Sequence, residues 1–352
     1  MSWIQSFQDF PGNNQTQEGI IYMQIAFMLT DKCNALCSHC ITSSSPDTGS
    51  LLSTEYICRV IDDAAQLSKN QKRFSICFTG GEPFLYFDRL VEVVNYGHQK
   101  KAIISCVTNG FWAVSDKATK EKIAVLKNAG LSSIGLSFDL FHGKFISVNN
   151  IKRILKFSKN FGIRIAFKNT VLKGSLRAGD ILKKFEDIII DTSISIDEAR
   201  CLPLGRAKHI SSDKFLYNRN VFQEKCNGVG DITIDAKGNV YPCCIPDWPE
   251  ILCLGNIYQN SFSELITKIR NNYLFNILIQ KGPAYFLPFL LKEGYDFTQK
   301  KFVNKCHLCN EVLKLCEKDK SAGKVLEEVL EKWRKIKEKE KEVANIILSW
   351  YE

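Results

Sequence analysis

A chain of 352 residues is too long for one small core and accommodates a main domain with appendages. Its 45% apolar and 24% charged residues are ordinary for a soluble globular protein, and no apolar run reaches membrane-spanning length. Met1 to Glu18 carries no signal-peptide pattern, so the 14 cysteines read as metal or cluster ligands in a reducing cytoplasm, and the net charge of +9, without a basic stripe interleaved with aromatics, marks no nucleic-acid surface.

In chain order, Ile20 to Leu29 predicts a strand that leads straight into Cys33-x-x-x-Cys37-x-x-Cys40. Three thiolates at this spacing hold three irons of a cubic [4Fe–4S] cluster and leave the fourth open to a small molecule. Zinc is the competing reading, with His39 inside the motif, although zinc prefers four complete ligands or a His-rich open site. Thr54 to Leu67 predicts a helix capped by Ser53 or Thr54. A strand at Phe74–Phe78 then enters Phe78-Thr79-Gly80-Gly81-Glu82-Pro83. Its glycines permit close backbone approach at a strand end, and Glu82 offers a carboxylate suited to gripping an ammonium group.

The alternation continues with helix Asp88–Tyr96, strand Ala102–Val107, helix Asp116–Ala129, strand Ser133–Phe138, helix Asn149–Phe161 and strand Arg164–Val171. A helix at Gly179–Phe185 and apolar runs at Ile188–Ile190 and Ile194–Ile196 follow. Six such repeats predict an α/β fold with a parallel sheet and helices outside, too few for a closed eight-fold barrel. Chemistry in such sheets sits at the C-terminal strand ends. Asn109 follows the third strand, Ser137 and Asp139 mark the end of the fourth, and Asn169 lies late in the fifth. Short polar side chains there can hydrogen-bond a ribose or a carboxylate, or can simply cap. Arg206, in Leu204-Gly205-Arg206-Ala207, is a candidate partner for a carboxylate or a surface residue.

The three cysteines and the Gly80-Gly81-Glu82 loop, about forty residues apart and in this order, resemble the radical SAM superfamily. The resemblance implies a partial (β/α)6 barrel of the radical SAM type. It implies S-adenosylmethionine chelated to the open iron and reductive cleavage to a 5′-deoxyadenosyl radical. Gly80, Gly81, Glu82, Asn109, Ser137, Asp139 and Arg206 are then the candidate cofactor-binding residues.

Near Cys226 the chain changes character. Ile232–Asp235, a turn at Ala236-Lys237-Gly238 and Asn239–Pro242 predict a β-hairpin that carries Cys226 and Cys243 back towards each other. With the later Cys306-x-x-Cys309 loop they supply four thiolates, enough for a closed cluster or a structural zinc, and Cys316 or Cys253 could replace one of them. Cys226, Gly238, Cys243 and the C-x-x-C look like a shortened SPASM extension, the auxiliary-cluster domain of enzymes that modify ribosomal peptides. One auxiliary [4Fe–4S] cluster is the expected count. Phe275 to Leu291 reads as a buried helix pair or a wall over the substrate channel. Lys320 to Glu352 reads as a helix with Val325, Val329, Trp333 and Ile336 on one stripe, packed on the body or a twin chain. The expected division is residues 1–19 as an extension, 20–210 as the barrel, 211–318 as the SPASM-like domain and 319–352 as the C-terminal helix.

Cys244 follows Cys243 directly, and neighbouring side chains on an extended segment point to opposite faces. A free thiol there can give a hydrogen atom to a carbon radical, or can be a small buried hydrophobe. The runs Cys33–Ser45, Phe78–Leu85, Thr108–Trp112, Ser137–His142 and Tyr241–Pro246 are similar to the radical SAM peptide epimerases of ribosomally made peptides. That similarity implies Cys226, Cys243, Cys306 and Cys309 as auxiliary ligands and Cys244 as hydrogen donor. It also implies a ribosomally synthesised precursor peptide as substrate, an electron donor such as flavodoxin or ferredoxin, and no membrane or nucleic-acid partner. A peptide maturase that forms a thioether or carbon–carbon crosslink is the alternative. Asp139 and His142 could steer the peptide or a proton.

Overall fold

A computed structural model describes residues 23–68, 74–189, 194–244 and 247–348. The expected N-terminal extension and the ends of the Ile188–Ile190 and Tyr241–Pro246 runs lie outside these residues. The chain divides into two compact units: residues 1–216, 230–247 and 253–266, and residues 217–229, 248–252 and 267–352.

The first unit is built on alternating strands and helices: β1 Gln24–Thr30, α1 Thr54–Leu67, β2 Ser75–Gly80, α2 Phe87–Gln99, β3 Ile103–Thr108 and α3 Asp116–Asn128. These are followed by β4 Ser133–Ser137, α4 Val148–Phe161, β5 Arg164–Val171, α5 Ala178–Ile189 and β6 Ile194–Arg200. The six strands are parallel neighbours in sequence order. Helix α5 runs on through Ile188, which the sequence pattern set apart as a separate apolar run. Ser53 occupies the α1 N-cap without a side-chain hydrogen bond, whereas Ser115 and Ser147 cap α3 and α4 through their hydroxyls.

The sheet has one apolar and one mixed face. On β2, Ile76 and Phe78 are fully buried while Ser75, Cys77 and Thr79 are only partly covered. Gly97 of α2 lies so close to Ile76 and Ile104 that a Cβ there would stand 3.4 and 3.0 Å from their methyls. The even-numbered residues of β2 and β3 therefore face the helices, each buried Ile contributing roughly 2 kcal/mol. Ala26, Cys77 and Ser105 are direct register partners and share the opposite, inner face.

Beyond β6 the chain returns to this sheet. β7 Asp231–Ile234 pairs in parallel with β1, and β8 Asn239–Tyr241 and β9 Gly255–Asn256 extend it antiparallel, giving the order β6-β5-β4-β3-β2-β1-β7-β8-β9. The hairpin expected from Ile232 to Pro242 is present. α6 spans Phe262–Arg270.

The second unit holds α7 Tyr273–Gln280, α8 Leu287–Lys292, α9 Lys305–Lys318 and α10 Lys320–Leu348. Helix α10 packs on α7, α8 and α9, burying Val325, Val329 and Trp333, whose indole Nε1 donates to Asn276 Oδ1 at 2.9 Å. Ile336, expected on the same stripe, is 45% exposed. Among the described residues no single helix is long and apolar enough to cross a membrane. The bent pair Tyr273–Gln280 and Pro283–Lys292, at 110°, passes that test only when joined, and Leu274, Phe275, Ile277, Leu278, Phe286 and Leu290 within it are buried.

Candidate active site at the strand ends

The cysteine loop begins where β1 ends. Thr30 Oγ1 donates to Ser50 O at 2.7 Å, Asp31 Oδ1 accepts from Ser50 N at 2.7 Å, and Cys33 N donates to Ser45 O at 2.9 Å, so the loop closes on itself. Each of Cys33, Cys37 and Cys40 lies within electrostatic reach of the other two. Burial pushes the Cys33 thiol up to about 11 and the Cys37 thiol up to about 12. Left to themselves these groups stay protonated, and it takes a strongly positive ligand to make them thiolates. Among the described residues the only trio of His, Cys, Asp or Glu ligand atoms within 4.8 Å of one another is His39, Asp139 and His142. The three thiols are thus spread more widely than the about 3.8 Å between thiolates around one tetrahedral zinc. Three thiols gathered on one loop suit a polynuclear cluster.

The glycine loop lies along the start of the cysteine loop. Gly81 N donates to Thr30 O at 2.7 Å and Glu82 N to Lys32 O at 2.8 Å. A Cβ on Gly81 would stand 2.0 Å from Lys32 O, and one on Gly80, at φ +123°, 2.3 Å from Thr30 O. The close approach that the glycines permit is to the chain itself.

Three side chains expected to meet the cofactor make hydrogen bonds to the loops around them. Glu82 is fully buried. Its Oε1 accepts from Phe84 N at 3.1 Å and Thr108 Oγ1 at 2.8 Å, and its Oε2 from Asn109 N at 2.7 Å. Burial raises its carboxyl to about 7 against these donors. Within the chain it fastens the end of β3 to the glycine loop. Asp139 is 2% exposed. Its oxygens accept from His142 Nδ1 at 3.0 Å and from the backbone N of Phe141 and His142 at 2.9 Å, and His39 Nε2 lies 3.6 Å away. Burial works to raise Asp139, but His142 and His39 outweigh it and hold the carboxyl down to about 2. Burial in turn lowers His39 to about 4, against the pull of Asp139. Asp139 therefore anchors two imidazoles. Arg206 is partly exposed and turns its guanidinium to the cysteine loop. Its Nε donates to Cys37 O at 3.0 Å, its Nη2 to Ser44 O at 2.7 Å and its backbone N to Cys40 O at 3.0 Å. It clamps the cysteine loop, and Gly205 beside it, at φ +54°, would bring a Cβ within 2.3 Å of Ile41 O.

Asn109 reaches the same loop. Its Nδ2 donates to Asn34 Oδ1 at 2.9 Å and stands 3.8 Å from Cys33 Sγ. Ser137, the last residue of β4, is in register with Lys168 of β5 on the inner face. Asn169 is spent internally, its Nδ2 donating to Leu176 O at 2.9 Å.

Cys244, just past β8, is 7% exposed and forms a buried cluster with Ala26 of β1, against which Cys77 of β2 packs. It therefore lies over the inner face. Cys243 belongs to the same unit and is half-buried. Cys253 Sγ donates to Gly255 O at 3.6 Å. In the second unit, Cys226 N donates to Leu278 O at 2.9 Å, and Cys306, raised to about 11 mainly by burial, feels Cys226 beside it. The C-x-x-C is not a loop. Cys306 and Cys309 stand in the first turns of α9, capped by Asn304 Oδ1 accepting from Cys306 N at 3.1 Å and His307 N at 3.0 Å, so their i, i+3 spacing shares one face. Cys316 lies buried further along the same helix.

Two inner-face residues were not singled out from sequence. Cys77 lies between Ile76 and Phe78, where strand alternation already puts it opposite the helices. Lys168 is 6% exposed, its Nζ 2.6 Å from Asp197 Oδ2. A lysine directly after the apolar run Ile165–Phe167 of β5 was the available signal.

The model of the radical SAM superfamily matches residues 27–174, and that of the SPASM iron-sulfur cluster-binding domain matches residues 226–310. This chain is a radical SAM–SPASM protein. Its radical SAM domain binds a [4Fe–4S] cluster and S-adenosylmethionine, and its SPASM domain binds auxiliary iron–sulfur clusters. Among curated proteins it is similar to YydG of Bacillus subtilis strain 168, a protein named for peptide biosynthesis, at 29% identity over 84% of this chain and 93% of that one. It is also similar to AlbA of the same strain, an antilisterial bacteriocin subtilosin biosynthesis protein, at 24% identity over 78% of this chain and 65% of AlbA. Of solved structures, anSMEcpe with bound AdoMet matches with a TM-score of 0.53 at 16% identity, over 75% of this chain and 83% of that one. That likeness supports the radical SAM fold.

Proposed function

We propose that this radical SAM–SPASM protein is a peptide epimerase, converting L-residues to D-residues in a ribosomally synthesised precursor peptide. The observation that carries the reading is the thiol of Cys244, packed against Ala26 and Cys77 over the inner sheet face. The resemblance of the chain to a protein named for peptide biosynthesis supports the substrate class.

In this reading Cys33, Cys37 and Cys40 ligate the cluster with the open iron, and Cys226, Cys243, Cys306 and Cys309 ligate one auxiliary [4Fe–4S] cluster. The bound cofactors supply a 5′-deoxyadenosyl radical that removes Hα from one side of Cα. Cys244 returns a hydrogen from the other side, since an S–H bond is weak enough to reduce a carbon radical. Gly80, Gly81, Glu82, Asn109, Ser137, Asp139 and Arg206 line the cofactor site, and Arg206, Glu82 and Asn109 also hold the cysteine and glycine loops in place. Electrons come from a one-electron carrier of the flavodoxin or ferredoxin class.

The test is mass spectrometry with chiral analysis of a candidate precursor peptide after anaerobic reaction in D2O. Epimerisation leaves one deuterium at Cα per event and no mass change in H2O. A Cys244→Ala variant should still form 5′-deoxyadenosine but yield no D-residue. Crosslink formation is the second reading, favoured by the similarity to a bacteriocin biosynthesis protein. It predicts a product two hydrogens lighter and a Cys244→Ala variant with full turnover.

A further inference from the structure

Each hydrogen returned to Cα leaves Cys244 one electron and one proton short of a thiol, and the enzyme must repair it before the next event. We infer that Cys77 is the resolving thiol, and that Cys77 and Cys244 form a redox-active dithiol pair on the inner sheet face. This rests on the epimerase reading for its place in turnover, while the pair itself rests on the packing of the two side chains.

Cys244 and Ala26 form one buried cluster, and Cys77, the register partner of Ala26, packs against it, so two thiols from β2 and from the segment after β8, far apart in the chain, meet at one point of the inner face. Cys77 is not needed by the helix-side core, which Ile76 and Phe78 complete. It is partly exposed on a face otherwise lined by small and polar groups. Ser105 hydrogen-bonds it, and the Lys168 ammonium lies within electrostatic reach. Lys168 in turn folds across Gly135, where a Cβ would stand 3.2 Å from its Cε. Burial raises the Cys77 thiol while Ser105 and the Lys168 ammonium pull it down, so its proton leaves as the S–S bond forms. Neither cysteine is one of the seven assigned to clusters.

The step balances as follows. The sulfur of Cys77 bonds to that of Cys244, the Cys77 proton leaves to solvent, and one electron passes to the oxidised form of a one-electron carrier of the flavodoxin or ferredoxin class. A dithiol reductant of the thioredoxin type then breaks the S–S bond, supplying two electrons and two protons and restoring both thiols. Each epimerisation thereby consumes one dithiol.

The experiment uses the full reconstituted chain under anaerobic conditions. It is equilibrated with reduced and oxidised dithiothreitol at graded ratios, alkylated and mapped by mass spectrometry. A Cys77–Cys244 linked peptide pair should accumulate as the couple becomes oxidising. Both residues alkylated at every ratio, or Cys244 linked elsewhere, overturns the pair. In D2O with peptide and a dithiol, Cys77→Ser should give a single product per chain where the parent gives many, and 5′-deoxyadenosine should stop with it. Unchanged multiple turnover in Cys77→Ser overturns the resolving role. If the parent places no deuterium at Cα yet forms the linked pair, the epimerase reading fails and the dithiol pair stands. If deuterium appears and no linked pair ever forms, the reverse holds.

Discussion

At the scale of single residues, several polar side chains singled out in the sequence hold the cysteine and glycine loops in place. Arg206 shows it most directly. Its guanidinium spends its fork on the carbonyls of Cys37 and Ser44, and a planar group with two separated donors does this where a lysine cannot. Arg206→Lys keeps the charge and loses the fork, so it should lower unfolding free energy by on the order of 1–3 kcal/mol in urea titrations and reduce iron content after reconstitution. A variant with parent stability and full iron would mean that the clamp is incidental. Glu82, Asn109 and Asp139 follow the same logic. Their spacing in the sequence reports that polar groups gather at strand ends, but the direction of each carboxylate depends on which backbone N–H groups the neighbouring loops bring within reach.

At the scale of elements, alternation of strands and helices was legible nearly throughout, because a period of two or of 3.6 is a property of local sequence. What alternation leaves open is pairing. Strand β7 joins β1 in parallel, which places Asp231 opposite Gln24 in the ladder. Burial raises the Asp231 carboxyl to about 6, and Gln24 Oε1 is buried without a hydrogen-bond partner. The folded state therefore binds a proton there that the unfolded chain has released. This contribution is full below about 3.8, is lost as pH rises towards about 6, and stays absent above it. Asp231→Asn should flatten the fall in stability across that window and raise stability at pH 7 by on the order of 1–3 kcal/mol. Parallel denaturation curves at pH 4 and pH 7 for parent and variant check it, and an undiminished pH slope in the variant refutes it. The C-x-x-C of Cys306 and Cys309 is a second case. Asn304 was the N-cap signal that turns the expected loop into the first turns of α9.

At the scale of the whole molecule, the count of clusters is the most direct observable. Replacing Cys33, Cys37 and Cys40 together by Ala should remove the cluster with the open iron and leave the auxiliary one. Bound iron should then fall from about eight to about four per chain. Loss of all iron would tie the two sets of thiols together, and loss of none would refute the motif assignment. Chelation of the remaining iron should then release the thiols of the SPASM segment to alkylation.

The sequence by itself determined the chemistry on offer and the order in which it is laid down. Spaced cysteines, a glycine pair at a strand end and six β/α repeats are local patterns, readable because covalent spacing and side-chain period do not depend on the rest of the fold. Only the tertiary structure decided which groups face which. It gave Glu82, Asp139 and Arg206 their partners in the loops, and it brought Cys77 of β2 and Cys244, more than 160 residues later, to Ala26 of β1. The reason is physical: a buried polar group is claimed by whichever donors and acceptors packing brings to it, and those come from segments distant in the chain.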